Sequence, residues 1–171
     1  KEGQEFKPTR FSPSEPQMQD SRQVWFAGCH SDIGGGYPED ESGLSKFPLR
    51  WLVREARAHG VKVNTAMFNH LVEGKARGGS EHKYAPPDPA AKLHISAMGG
   101  WRILEWLPKR LKGREWPRRK GFLGFYLPRC EPRLIPEGAI IHESVLKRKD
   151  LVPSYRPVNL PDVYEVECDP G

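Results

Sequence analysis

One stretch limits what this chain can fold into more than any other. The apolar run Val24-Trp25-Phe26-Ala27 breaks into Gly28-Cys29-His30-Ser31-Asp32-Ile33, then three consecutive glycines, Gly34, Gly35 and Gly36, and Tyr37. The run shows no polar alternation, the pattern of a strand covered on both faces in an α/β sheet. A strand cannot continue through the glycines, which give up side-chain packing for backbone freedom and close approach. In open α/β sheets sites gather off the carboxyl ends of strands, where His30, Ser31 and Asp32 would sit.

Taken bare, this loop admits several chemistries. A phosphate cradle is disfavoured, because G-x-G-x-x-G is incomplete and no Lys-Ser/Thr pair follows. His30 and Asp32 could join Glu39-Asp40-Glu41 around a metal, although the spacing matches no ligand template. Asp32 could be the carboxylate of a hydrolase triad, or simply cap a tight turn.

Two further stretches bear on that choice: Ile141-His142-Glu143-Ser144-Val145-Leu146 and Tyr155-Arg156-Pro157-Val158-Asn159-Leu160-Pro161. Together with the glycine motif, and in the same order, they resemble the uncharacterised α/β-hydrolase domain family that includes type VI secretion phospholipase effectors. The resemblance spans residues 24–161 and implies an α/β class fold: the C-terminal portion of an α/β-hydrolase, with a cap-like insertion over 74–127. It implies a Ser-Asp-His triad in which Asp32 orients His142, the histidine directly after the last strand. His142 would take the proton of a serine hydroxyl and return it to the leaving alcohol. The serine itself, on a G-x-S-x-G turn, is expected upstream of Lys1. The nearest approach here, Gly78-Gly79-Ser80-Glu81-His82, follows no apolar strand and reads as linker. The implied substrate is a lipid or other carboxylic ester, with no cofactor and no metal. His30, Ser31 and the Gly34 to Gly36 backbone would line the substrate, as would His94, for which a catalytic role is the alternative.

The pattern of elements fits such a piece. Residues 1–21 read as an extended connection and 162–171 as a tail. Strands are expected near Gln23–Ala27 and Gly138–Ile141, ending at His142. Leu49, Leu52, Val53 and Ala56 predict a helix over 48–59, with Arg50, Arg54 and Arg57 facing solvent and Gly60 as the stop. Asn64 caps a second helix through Glu73. Composition agrees: 17 Gly, 17 Pro and 29% charged residues leave much loop for 171 residues, as expected of part of a larger domain. Three widely spaced cysteines suggest neither a disulfide framework nor a zinc site. No apolar run approaches the ~20 residues that span a bilayer, and the chain opens without a signal sequence, so a cytoplasmic or signal-independent secreted location is expected.

The formal charge of +5 is concentrated in Lys109-Arg110-Leu111-Lys112-Gly113-Arg114-Glu115-Trp116-Pro117-Arg118-Arg119-Lys120, with Trp106 just before it. Gly113 and Pro117 break any recognition helix, so duplex nucleic acid is not expected as a partner. Tryptophan with Lys and Arg suits the headgroup region of an anionic membrane, with Trp106 and Trp116 as contacts. A non-catalytic module that binds a membrane or partner through this surface is the rival to the hydrolase.

Overall fold

A computed structural model describes residues 21–95, 106–110, 121–127 and 132–169. Among them is a three-stranded parallel sheet in the order β1 (Val24–Trp25), β4 (Ala139–His142), β5 (Tyr164–Glu167). Val24 faces Ile140 and Trp25 faces Ile141, while β4 and β5 pair from Ala139↔Tyr164 to His142↔Glu167. Parallel neighbours need long crossovers, and helices supply them. Between β1 and β4 lie α1 (His30–Gly34), α2 (Lys46–Ala58) and α3 (Thr65–Leu71), while α4 (Glu143–Leu151) links β4 to β5. The small core gathers where β4 and α4 meet: Ala27, Ala139, Ile141 and Val145, with Trp25, Ile135, Tyr155, Leu160 and Tyr164 packed against them. Ile141 is almost fully buried, worth about 1.5–3 kcal/mol for such a side chain.

The expected strands and helices form with small shifts in their bounds. Pro48 stands in the first turn of α2, where its missing N–H costs nothing. Asn64 Oδ1 accepts the Met67 amide at 3.0 Å to cap α3. Two expectations need correcting. Arg50 and Arg54 do not face solvent: Arg50 forks Glu73 and reaches Asp169, and Arg54 pairs with Glu167 and the Cys168 carbonyl. The stretch beginning at 162 is not a tail, because Tyr164–Glu167 supplies the third strand, and the arginines of α2 hold its end in place. Also on α2, Leu49 and Leu52 are exposed and, with Val24, Phe26, Ile33 and Trp51, line an apolar groove of about 410 Å³ beside β1.

Within 74–127, β2 (Lys109–Arg110) pairs antiparallel with β3 (Phe125–Tyr126). Phe122 and Phe125 exchange backbone hydrogen bonds of 2.8 and 3.0 Å around Leu123 and Gly124, both at positive φ, which is the geometry of a type I′ turn. Trp116 and the 118–120 cluster lie outside the described residues.

Candidate active site around His94

Asp32 is the third residue of the one-turn helix α1, which follows β1 after Phe26, Ala27, Gly28 and Cys29. Its carboxylate reaches back to accept the Cys29 amide at 2.9 Å, satisfying a donor the short helix leaves unpaired. That fold-back needs Gly28, whose φ is +128° and whose missing Cβ would stand 2.4 Å from Asp32 Cβ. Gly35, at φ +77°, closes the helix in the left-handed conformation. The glycine motif therefore encodes a capped turn that presents a carboxylate.

The partner of that carboxylate is His94. Asp32 Oδ1 lies 2.7 Å from His94 Nδ1, and Oδ2 also accepts the His94 backbone amide at 3.1 Å. On the far side of the ring, Nε2 lies 2.7 Å from Glu41 Oε2, and Lys92 holds the other oxygen of Glu41 at 2.6 Å. Tyr37 stacks on the imidazole with ring centroids 3.5 Å apart. The Tyr37 phenol is pushed up to about 12, first by its hydrogen bond to the Cys29 thiol and then by burial.

These contacts set the charges. Burial by itself would raise the pKa of Asp32, which is only 2% exposed, but the Cys29 amide and the His94 ring and backbone together hold it below the usual carboxylate range. Hydrogen bonds from Asp32 first, and then Glu41, raise the His94 imidazole above its ordinary value. The result is a histidine clamped at Nδ1 by a buried carboxylate, the arrangement that fixes a tautomer and stabilises an imidazolium.

His142 sits elsewhere, and the expected Asp32–His142 contact is not made. At 0% exposure it is sealed between Phe26, stacked at 4.6 Å, and Phe47 at 5.8 Å. Its Nδ1 accepts the Ser144 amide at 3.2 Å, so the imidazole caps α4 and, when neutral, carries its proton on Nε2. Nε2 lies 3.5 Å from Asp169, too far for a good hydrogen bond. Burial lowers its pKa, against a weaker upward pull from Asp169. Ending a strand places a side chain on the sheet, and here it places the ring inside the apolar layer.

The remaining expected residues have plain positions. His30 is exposed at the first position of α1, Ser31 follows it half-buried, and Gly34 and Gly35 wall the apolar groove. Trp106 is exposed. Glu39 is spent on Lys46 and the Ala85 amide, and among the described residues no group of three or more His, Cys, Asp or Glu is placed to hold a metal. Ser80 Oγ does lie 3.1 Å from His70 Nε2, but His70 Nδ1 meets the Lys75 carbonyl, which carries no charge to stabilise an imidazolium. Sequence reasoning weighed Glu41 only as a metal ligand, gave Tyr37 no role, and foresaw neither as a partner of His94. Their one signal was spacing, since both follow Asp32 closely enough to fold over the same ring.

The fold and site together define a mixed α/β unit: a small parallel sheet with helices, and a carboxylate-bound histidine reached from the end of its first strand. Residues 2–55, which include β1, α1 with Asp32 and most of α2, match the family described as T6SS, phospholipase effector Tle1-like, catalytic domain. A stretch of 43 residues is 49% identical to the uncharacterized protein YEL023C of Saccharomyces cerevisiae, covering 23% of this chain and 6% of that protein. The chain thus spans a small part of that relative. No solved structure matches.

Proposed function

We propose that this chain supplies the acid and base of a serine-hydrolase site acting on carboxylic esters of lipids, with Asp32 as orienting carboxylate and His94, not His142, as base. The observation that carries this reading is the double grip of Asp32 on His94, ring and backbone together. The phospholipase family match over 2–55 supports the substrate class. In this reading His94 Nε2 takes the proton of a nucleophilic hydroxyl as it attacks the ester carbonyl, then returns it to the leaving alcohol. The hydroxyl comes from a G-x-S-x-G turn of the upstream segment and must displace Glu41 from Nε2. The α/β-hydrolase fold completed by that segment is part of the same proposal.

Presentation of the substrate by an anionic membrane fits the tight turn Phe122–Phe125, which leads into β3. Phe122 and Leu123 are 80% and 81% exposed at its tip, beside the exposed Lys109 and Arg110. Leu123 holds φ +49° where turn chemistry would choose Asn or Gly, so the apolar tip costs the turn stability and is retained for a contact.

The test is hydrolysis of a phospholipid by the protein together with its upstream segment. Asp32→Asn and His94→Asn should each lose roughly 10³–10⁴-fold in kcat. His142→Asn keeps a capping side chain and should remain active. Activity surviving His94→Asn but not His142→Asn would overturn the assignment.

A further inference from the structure

The motif beginning at Ile141 is not used by the proposed chemistry, although its last turn reaches the loop that carries His94. We infer that Arg148 is the positioning residue for His94, clamping the irregular segment that delivers the imidazole to Asp32. This inference rests on the reading of Asp32 and His94 as the acid–base pair.

Arg148 lies in the last turn of α4 and is 5% exposed. Its Nη1 donates to the Pro89 carbonyl at 2.6 Å and to the Ala91 carbonyl at 2.7 Å. The guanidinium carbon lies 5.2 Å from the centre of the Tyr155 ring, and among the described residues no carboxylate pairs with it. Burying a cation without an anion is costly, so the side chain is explained by what it holds.

What it holds is a backbone with no ladder of its own. Residues 85–91 read Ala-Pro-Pro-Asp-Pro-Ala-Ala and form neither helix nor strand, so their carbonyls have no ladder partner and take donors from elsewhere. Asp88 ties the same turn together, its amide donating to the Gly43 carbonyl at 3.3 Å and its carboxylate accepting the Ala90 amide at 2.8 Å. Ala91 packs so closely on Gly43 that a Cβ there would come within 2.8 Å. The turn is thus gripped by the loop before α2 on one side and by Arg148 on the other. Three residues beyond Ala91, Asp32 receives the His94 amide and ring. Arg148 therefore fixes the approach of His94 without touching it.

The test is an NMR titration of the His94 imidazole in the full chain. In Arg148→Met the apolar stem remains and both donors are lost. Removing a nearby cation would by itself raise the pKa of His94, whereas loosening its grip on Asp32 and Glu41 lowers it, so the sign separates the two effects. The expected result is a downward shift for His94 in Arg148→Met and a near-normal His94 titration in Arg148→Lys. An unchanged or raised His94 pKa in folded Arg148→Met overturns the inference. If that variant does not fold, Arg148→Lys decides: a fall as large as that in Asp32→Asn overturns it. The titration needs no ester hydrolysis, so it stands apart from any failure of the proposed activity. Where the upstream segment is present, Arg148→Met should lower kcat about 10²-fold, the cost of roughly 1 Å of misplacement, with KM held.

Discussion

Asp32 grips His94 twice, receiving the ring Nδ1 at 2.7 Å on one oxygen and the backbone amide at 3.1 Å on the other. A single contact would orient the ring; the second also fixes where the chain carrying it can lie. The far nitrogen is occupied by Glu41, so two carboxylates favour the protonated ring.

That arrangement predicts the pH profile. A base works when neutral, so kcat/KM of the nucleophile-bearing protein should rise with pH through a value above the ordinary 6.5 or so of histidine. In the chain alone, where Glu41 still meets Nε2, Glu41→Gln removes one of the two raising contacts, and the titration limb of the His94 imidazole, read by NMR, should move to lower pH. A limb that stays in place would mean that another group is titrating.

His94 and His142 should pull folding stability in opposite directions. His94 has a raised pKa, so its contribution is fully present below about 6.5 and is lost as pH rises through its folded value. His142 has a lowered pKa, so the unfolded chain binds the proton more readily, and stability falls as pH drops below about 6.5 towards its folded value. Urea midpoints measured against pH should show both limbs. His94→Asn should flatten the alkaline limb and His142→Asn the acid one, and slopes unchanged by either variant would contradict these environments.

How much of this was legible depends on whether the cause was local. The strand at Val24, the glycine-bound turn, the Asn64 cap and the histidine that ends β4 all announce themselves within a few residues, and all are found. The partner of Asp32 does not, because His94 is 62 positions away and arrives on a proline-rich segment with no periodicity. Its course is set by contacts to Gly43 and Arg148, which no local pattern records. β5 was hidden for a related reason. Tyr-Glu-Val-Glu is short, acidic and mostly exposed, and its one buried residue, Glu167, is held by Arg54 and Arg22. Residues 96–105 and 111–120, where the sequence places amphipathic and basic turns, lie outside the described residues.

The glycines around Asp32 should respond unequally to a methyl group. Gly28→Ala meets both the positive φ and Asp32 Cβ at 2.4 Å, so it should cost at least 1–3 kcal/mol, the rough scale of a strained backbone, and release Asp32. Gly34 is helical, with nothing within 4 Å of an added Cβ. Gly34→Ala should therefore stabilise by about 0.4–1 kcal/mol. Urea unfolding reads both, and equal losses would show that the glycines serve some need other than this turn.

The turn at Leu123 offers a test in which stability and binding part company. Leu123 sits at φ +49°, and a side chain other than Asn, Asp or Gly pays roughly 1–2 kcal/mol for that conformation. Leu123→Asn should therefore stabilise the Phe122–Phe125 turn, read as slower amide exchange at Phe122 and Phe125. If the tip enters a membrane, the same change should weaken binding of the chain to vesicles containing phosphatidylserine, because an apolar anchor is replaced by an amide. Lys109 and Arg110 would each add about 1 kcal/mol at an anionic surface. Binding should then fall as salt shortens screening to about 8 Å at physiological strength, and neutral phosphatidylcholine vesicles should bind poorly. A variant that is more stable and binds vesicles as well as the parent would leave the exposed leucine without a membrane role. One that loses both properties would show Leu123 to be a structural part of the turn.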